Sequence, residues 1–270
     1  GLRNWIRRAD WQMVAQGLRY AYEARAVFNL PRTEQSATEV NGLWKKALDV
    51  AGDLPEQLQV LADAAVAWGM NEQWEQCWWR VANGNVAQEN ALMILLRNYM
   101  LNDNTFGQYR VARRLLTLDP RDLTAKNNTV YFGLLLQLDS PDLPSLAEEL
   151  YQAAPTNPNF VATYALALFR KDPNLAREAI EKLEQLPAKD LEIGGVALTY
   201  GYILAHAGDR DKARQYLRKA DGTKMLPEEQ KLFDEAKRLG VAYLPYKTHV
   251  HRLFVDLTHP WLIGFRRPLF

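Results

Sequence analysis

The amino-acid sequence predicts an all-α fold in which pairs of helices follow one another as a right-handed solenoid. Apolar residues recur at three- and four-residue spacing through most of the 270-residue chain, which is the period of an amphipathic helix. Short groups of Gly, Pro, Asn and Asp interrupt this pattern repeatedly. Strand signals, such as an Asn-Gly turn between alternating runs, are nearly absent. Units of near-constant length, here roughly 30 to 45 residues, are typical of helical repeats.

We expect about six helix pairs, one closing helix and an irregular tail. The pairs comprise residues 9–29 with 34–51, 56–69 with 72–83, 87–102 with 106–118, 122–138 with 143–154, 159–170 with 173–186, and 190–207 with 210–220. A last helix at 227–239 is expected to close the stack. The helical repeat domain is therefore predicted to span residues 1–240, and the tail residues 241–270.

The stretch "YGYILAHAGDRDKARQYLRKA", residues 200–220, indicates how two helices of a pair contact each other. Gly201 lies in mid-helix, where glycine costs about 1 kcal/mol relative to alanine. Two antiparallel helices joined by a short turn approach closely, and only small side chains fit at the closest points. We expect Gly201, Ala213 and Ala220 to lie at these points, with Leu204 and Leu217 buried beside them.

These residues resemble the tetratricopeptide repeat, a 34-residue helix-turn-helix unit. The family has small residues at fixed helix positions, a Gly-Asp-like turn and a proline near the end of the unit. The positions that match in register are Gly201, Gly208, Asp209, Ala213 and Ala220, and Pro227 follows two residues late. Asp209 is expected to cap the second helix, because its side chain can accept a hydrogen bond from the backbone.

Further segments carry the same resemblance. "LLTLDPRD" at 115–122 and "YQAAPTNP" at 151–158 are similar to repeat ends, and Ala147 and Ala154 repeat the spacing of Ala213 and Ala220. "AKNN" follows the first of these ends, at 125–128. The resemblance is clearest over residues 86–221, and it implies a tetratricopeptide-like repeat domain.

In this family the first helix of each pair lines a concave groove that binds a peptide or a helix of a partner protein. The resemblance implies that the groove is lined by Asp63, Arg97, Asn127, Asn128, Tyr131, Thr163, Arg170, Tyr202 and His206. Asparagine can bond an extended backbone, arginine pairs with carboxylates, and tyrosine adds rigid contact area. The alternative is that these are solvated or inter-repeat residues without a ligand.

The segment "NEQWEQCWWRVANG" holds three of the eight tryptophans. Trp74 and Trp78 share one helix face, and Trp79 lies about 100° away around the helix. We interpret them as packing residues, with an aromatic ligand pocket as the alternative. Cys77 is expected to be a small buried hydrophobe, and a single cysteine excludes an internal disulfide or a multi-cysteine metal site.

The tail has three prolines, no sustained helical period and three of the four histidines. His249 and His251 lie two residues apart, but no further ligand is near them in sequence, so no metal site is expected. One interpretation is that the tail folds back and caps the stack. The other is a docking segment for an anionic membrane surface or a partner protein. Its residues would be Arg252, Phe254, Trp261, Phe265, Arg266 and Arg267. The N-terminal "GLRNWIRRADW" has the same basic, aromatic composition.

The inventory of motifs argues against catalysis and nucleic-acid binding. The sequence has no glycine-rich phosphate loop, no His-Glu-x-x-His and no Gly-x-Ser-x-Gly, so we expect no enzyme activity, cofactor or metal. The adjacent carboxylates Glu148 and Glu149, and Glu228 and Glu229, are predicted to be solvated. Basic ends flank an acidic body without a nucleic-acid motif, which makes nucleic acid an unlikely partner.

The location of the protein in the cell is not predicted. The sequence has no membrane-spanning run and no signal peptide, and because it begins at Gly1 without Met we expect it to be processed or part of a longer chain. The function predicted is a non-catalytic scaffold that binds a peptide or helix of a partner in its groove. The alternative is a structural subunit of a larger, membrane-attached complex, held through its basic aromatic termini.

Overall fold

The computed structural model describes the backbone of residues 2–239 and the side chains of residues 11–239. Within this range the fold is all-α: helices follow one another without a strand, so the predicted fold class is confirmed. The sequence predicts one repeat domain, and the helices form two compact units. Unit 1 comprises residues 1–98, and unit 2 begins at residue 99, near the end of the fifth helix.

Five helices begin in unit 1: α1 (Leu2–Phe28), α2 (Glu34–Ala51), α3 (Pro55–Ala67), α4 (Asn71–Asn83) and α5 (Gln88–Leu101). Unit 2 contains α6 (Thr105–Leu118), α7 (Leu123–Leu135), α8 (Leu143–Ala153), α9 (Pro158–Lys171), α10 (Ala176–Glu184), α11 (Gly194–His206), α12 (Arg210–Ala220) and α13 (Pro227–Arg238). Short 3₁₀ turns at Pro173–Leu175 and Asp190–Glu192 precede α10 and α11. The predicted helices agree with these in number and order; α1 begins earlier, and the 3₁₀ turns shorten α10 and α11.

In unit 1, α1 packs against α2 and α3 against α4, and α3 also contacts α1 and α2. The core contains the fully buried Trp44 together with Leu58 and Cys77. Burial raises the pKa of the Cys77 thiol to about 12, which suppresses the reactive thiolate. Cys77 is therefore the buried hydrophobe that the sequence predicts. Trp74, Trp78 and Trp79 are partly buried beside it on the same helix.

In unit 2, each helix from α6 to α11 packs against the next helix along the chain, as in an α-solenoid, whereas α13 packs on α11. The first helices of successive pairs also contact each other: α7 packs on α9, and α9 on α11. They therefore form one layer, with α8, α10 and α12 behind it. A single apolar cluster runs through this unit from α6 to α13.

The close approach of α11 and α12 follows from the small residues that the sequence places there. A Cβ atom on Gly201 would lie 2.8 Å from Cγ of Leu217, closer than real Cβ contacts, and 3.2 Å from the backbone nitrogen of Leu217, which is tighter than most of them. Ala213, Ala220 and Leu217 are fully buried, and Leu204 is 2% exposed. The predicted contact points are confirmed.

The turn between α11 and α12 also forms as predicted. Gly208 has a φ of +88°, a backbone conformation that residues with a side chain rarely adopt. The carboxylate of Asp209 accepts the backbone N–H of Lys212 at 3.2 Å, which satisfies one of the unpaired N–H groups at the start of α12.

Candidate functional site

Helix α13 lies across the layer of first helices in unit 2. The hydroxyl of Tyr131, in α7, donates to Glu229 Oε1 of α13 at 2.7 Å. The hydroxyl of Tyr202, in α11, donates to Glu235 Oε1 at 3.3 Å. Because α7 and α11 belong to different helix pairs, α13 spans the layer. The sequence predicts that this helix closes the stack; in the structure it packs on α11 and also covers the face of the layer.

The segment before α13 reaches the beginning of α6. The hydroxyl of Thr105 donates to the carboxylate of Glu228, and Nζ of Lys224 lies 2.6 Å from a carboxylate oxygen of Asp103. These contacts hold the N-terminal end of α13, whereas Glu235 holds its C-terminal end. We call the side of α6, α7 and α11 that contacts α13 the covered face, with Thr105, Tyr131, Tyr202 and His206 as its polar residues.

The side of α13 that packs on the covered face has the spacing of a single helix face. Glu229, Leu232, Phe233 and Ala236 follow the i, i+3, i+4, i+7 pattern, and none is more than 3% exposed. Leu232, Phe233 and Ala236 belong to the apolar cluster that includes side chains of α7, α9 and α11. Burying a leucine or phenylalanine side chain contributes about 1.5–3 kcal/mol, so apolar contact supplies most of the attraction.

Four polar contacts between the covered face and α13 have the same direction. Three hydroxyl groups of the face donate to carboxylates of α13, and Nε2 of His206 lies 3.2 Å from Glu235 Oε1. Since a carboxylate only accepts hydrogen bonds, His206 must donate through Nε2. The guanidinium of Arg170, at the end of α9, lies over the Tyr202 ring at 5.8 Å. The face therefore offers donors, and α13 supplies acceptors.

The protonation states follow from burial. Burial raises the pKa of Tyr131 well above its ordinary value near 10 and that of Tyr202 to about 12, so both remain neutral donors at pH 7. Burial also lowers the pKa of His206, with Glu235 opposing this shift and Arg170 adding to it. The pKa of Glu229 is raised by burial, although the N–H of Leu226 and the O–H of Tyr131 oppose this.

The residues predicted to line a groove fall into three groups. Asn127, Asn128, Tyr131, Thr163 and Tyr202 are buried in unit 2. Arg170 and His206 are partly exposed at the ends of α9 and α11, and 25% of the His206 side chain is accessible. Asp63 and Arg97 are exposed in unit 1, on α3 and α5. Of the nine, Tyr131, Tyr202 and His206 contact α13.

In unit 1, the first helices α3 and α5 each carry exposed apolar and charged side chains. On α3, Val60 and Val66 are 38% and 57% exposed and flank the exposed Asp63. On α5, Ile94 is 36% exposed, one turn from the exposed Arg97. We call these sides of α3 and α5 the open face. It presents apolar side chains together with one charge of each sign.

Helix α13 is part of the site, although its sequence did not predict this. The prediction that Glu229 is solvated is wrong: its carboxylate is buried because Tyr131 O–H and Leu226 N–H, at 2.7 Å each, replace water. The feature that indicates a covering helix lies in α11, where every residue from 195 to 205 is buried. A helix that is apolar all round is covered on all sides, which predicts a cover over this layer.

Several predicted features lie outside the described residues. They are the tail residues Arg252, Phe254, Trp261, Phe265, Arg266 and Arg267, and the histidines His249 and His251. The side chains of the basic segment before residue 11 are also outside this range. In the part of the chain that the structure describes, no helix is long and apolar enough to cross a membrane.

Comparisons with known proteins return no matching family model and no matching curated protein. The resemblance to the tetratricopeptide repeat therefore depends on the residues quoted from the sequence, and it stays a prediction.

Proposed function

We propose that the protein is a non-catalytic scaffold of tetratricopeptide-like helix pairs that binds peptide or helical segments of partner proteins on the faces of its first helices. The observation that carries this proposal is the position of α13. An amphipathic helix already occupies the covered face, through four hydrogen-bonding side chains and a buried Leu232-Phe233 pair. Side chains of this layer therefore have the chemistry needed to bind a helix.

The open face offers the same positions without a cover among the described residues of unit 1. Val66 and Ile94 supply accessible apolar surface, and Asp63 and Arg97 can fix the register of a bound segment through charge pairs. Exposed apolar side chains rimmed by charged ones are typical of protein-binding surfaces. We assign the open face as the binding site for a partner segment.

The alternative function is a structural subunit held through the basic aromatic termini. It is supported by the composition of residues 1–11 and 241–270, and the two functions assign the contact to different parts of the chain. A charge exchange on the open face distinguishes them.

The test compares three full-chain variants as bait for capture from the native source, with mass spectrometry as the readout. Asp63→Arg with Arg97→Asp reverses both charges of the open face without changing the net charge. Arg177→Asp with Glu181→Arg is the matched control, because both residues are exposed on α10, a second helix. The third variant ends at residue 249.

The scaffold predicts that only the exchange on the open face removes partners. Loss of partners on truncation alone would assign the contact to the tail and support the structural subunit. Capture that all three variants leave unchanged would overturn both functions.

A further inference from the structure

The contact between α13 and the covered face includes an uncompensated charge. Glu229 is 3% exposed, and its hydrogen-bond partners are the neutral Tyr131 O–H and Leu226 N–H. A buried carboxylate held only by neutral donors retains a desolvation penalty that an ion pair would reduce, and its raised pKa reflects this. The apolar side chains of α13 favour docking, whereas its charge opposes it.

We propose that α13 is an internal ligand that an acidic amphipathic helix of a partner protein displaces. The inference rests on the proposed function, and it defines the chemistry of the partner. The displacing helix carries carboxylates at the positions of Glu228 and Glu235, a hydrogen-bond acceptor at that of Glu229, a large apolar pair at those of Leu232 and Phe233, and a small residue at that of Ala236.

Each part of this pattern follows from a contact of the covered face. The hydroxyls of Tyr131 and Thr105 need a hydrogen-bond acceptor at one end of the covered face, because a buried donor without a partner is costly. Tyr202 and His206 need an acceptor at the other end of the covered face. The cation of Arg170, over the Tyr202 ring, further favours an anion and disfavours a basic helix.

Displacement is a competition between α13 and the partner helix for the covered face. A short linker keeps α13 at an effective concentration on the order of millimolar near the covered face. A partner helix with the same sequence therefore binds the complete chain weakly. Once α13 is undocked, the same helix binds much more tightly, since no intramolecular competitor remains.

The experiment uses a fluorescently labelled peptide with the sequence of residues 222–239, titrated with the complete chain. In the chain variant Phe233→Asp, a buried carboxylate replaces the phenylalanine ring and undocks α13, while the covered face keeps its residues. We expect this variant to bind the peptide at least ten-fold more tightly than the unmodified chain. Control peptides carrying Phe233→Asp or Glu229→Lys should bind at least ten-fold more weakly than the parent peptide.

Three results would overturn the proposal. The first is a folded Phe233→Asp chain, judged by circular dichroism, that does not bind the peptide. The second is unfolding of this variant, which would make α13 an integral part of the core. The third is an unmodified chain that dimerises by exchanging α13, because the helix on the covered face would then come from a second copy of the chain.

These outcomes are distinct from failure of the proposed function. If the peptide does not bind but exchange of Asp63 and Arg97 still removes partners, the scaffold stands and the internal ligand is wrong. If the peptide binds as expected but the open-face exchange has no effect, the open face is wrong and helix binding by the covered face stands.

Discussion

The open face of unit 1 and the covered face of unit 2 are built mainly from the same kind of helix, the first member of a pair, but they have different surroundings. On α3 the accessible positions include Val60, Asp63 and Val66. On α11 every residue from 195 to 205 is buried, and Tyr202 bonds a carboxylate of α13. Whether such a face is accessible is therefore decided by a helix elsewhere in the chain.

This difference shows which residues indicate that another helix covers a face. An accessible face has the usual mixture of apolar and charged residues, because water solvates one side of the helix. The face under α13 consists of apolar side chains, three hydroxyl groups and His206, and the partners of these polar groups are carboxylates of α13, among them the buried Glu229. The sequences of the first helices therefore indicate a covering helix more clearly than the sequence of the covering helix itself.

The largest expected difference between the two faces is in the response to truncation of an apolar side chain. Phe233→Ala should lower the free energy of unfolding by about 3–5 kcal/mol, because it removes a buried ring from the covered face. Val66→Ala on the open face should change it by about 0.5 kcal/mol or less, since Val66 is 57% exposed. Urea denaturation measures both, and equal effects would contradict the distinction between the faces.

A glycine pair tests the packing behind the covered face. Gly201→Ala should destabilise the protein by about 1–3 kcal/mol, since its Cβ would lie 2.8 Å from Cγ of Leu217. Gly42→Ala is the matched control: Gly42 is also helical, but apart from the backbone of its own helix nothing lies within 4 Å of its Cβ position. Alanine there should stabilise by up to about 1 kcal/mol. Thermal denaturation that shows the same sign for both variants would refute the close approach of α11 and α12.

The smallest expected effect is a pH dependence from His206. Its pKa is lowered below 6.5, so the folded state favours the neutral ring. The resulting stability is present above pH 6.5 and is lost as the pH falls through the lowered pKa. The magnitude should be about 1 kcal/mol or less, because the ring is partly solvated.

Comparing the unmodified chain with His206→Gln by urea denaturation between pH 7 and 5 isolates this effect. Glu229 titrates in both chains, and its raised pKa favours docking as the pH falls, so its contribution cancels in the difference. The variant should lose less stability on acidification than the unmodified chain. A difference that does not change with pH would exclude His206 from the contact.

The helices and their pairing were predictable from the sequence because local patterns determine them. The spacing of apolar residues places each helix, and Gly208 with Asp209 marks the turn between α11 and α12. The small residue at Gly201 and the alanines of α12 predict a close approach, which the buried Ala213 confirms. Each of these signals involves neighbours in the chain or the next helix.

The position of α13 was not predictable from its own pattern. Leu232, Phe233 and Ala236 indicate that one side of this helix is buried, but an amphipathic pattern does not identify the surface against which it packs. The hydrogen bond between Tyr131 and Glu229 joins residues far apart in sequence. The division into two units also lacks a sequence signal, because the helical pattern continues through residue 98.

The most direct test of the central claim, that α13 occupies the face of the first helices, is a double-mutant cycle between α7 and α13. The variants are Tyr131→Phe, Glu229→Ala and the two combined, and the measurement is the free energy of unfolding in urea. Because the two side chains share a buried hydrogen bond of 2.7 Å, we predict a coupling energy of at least about 1 kcal/mol. Additive effects, with a coupling energy near zero, would contradict the account.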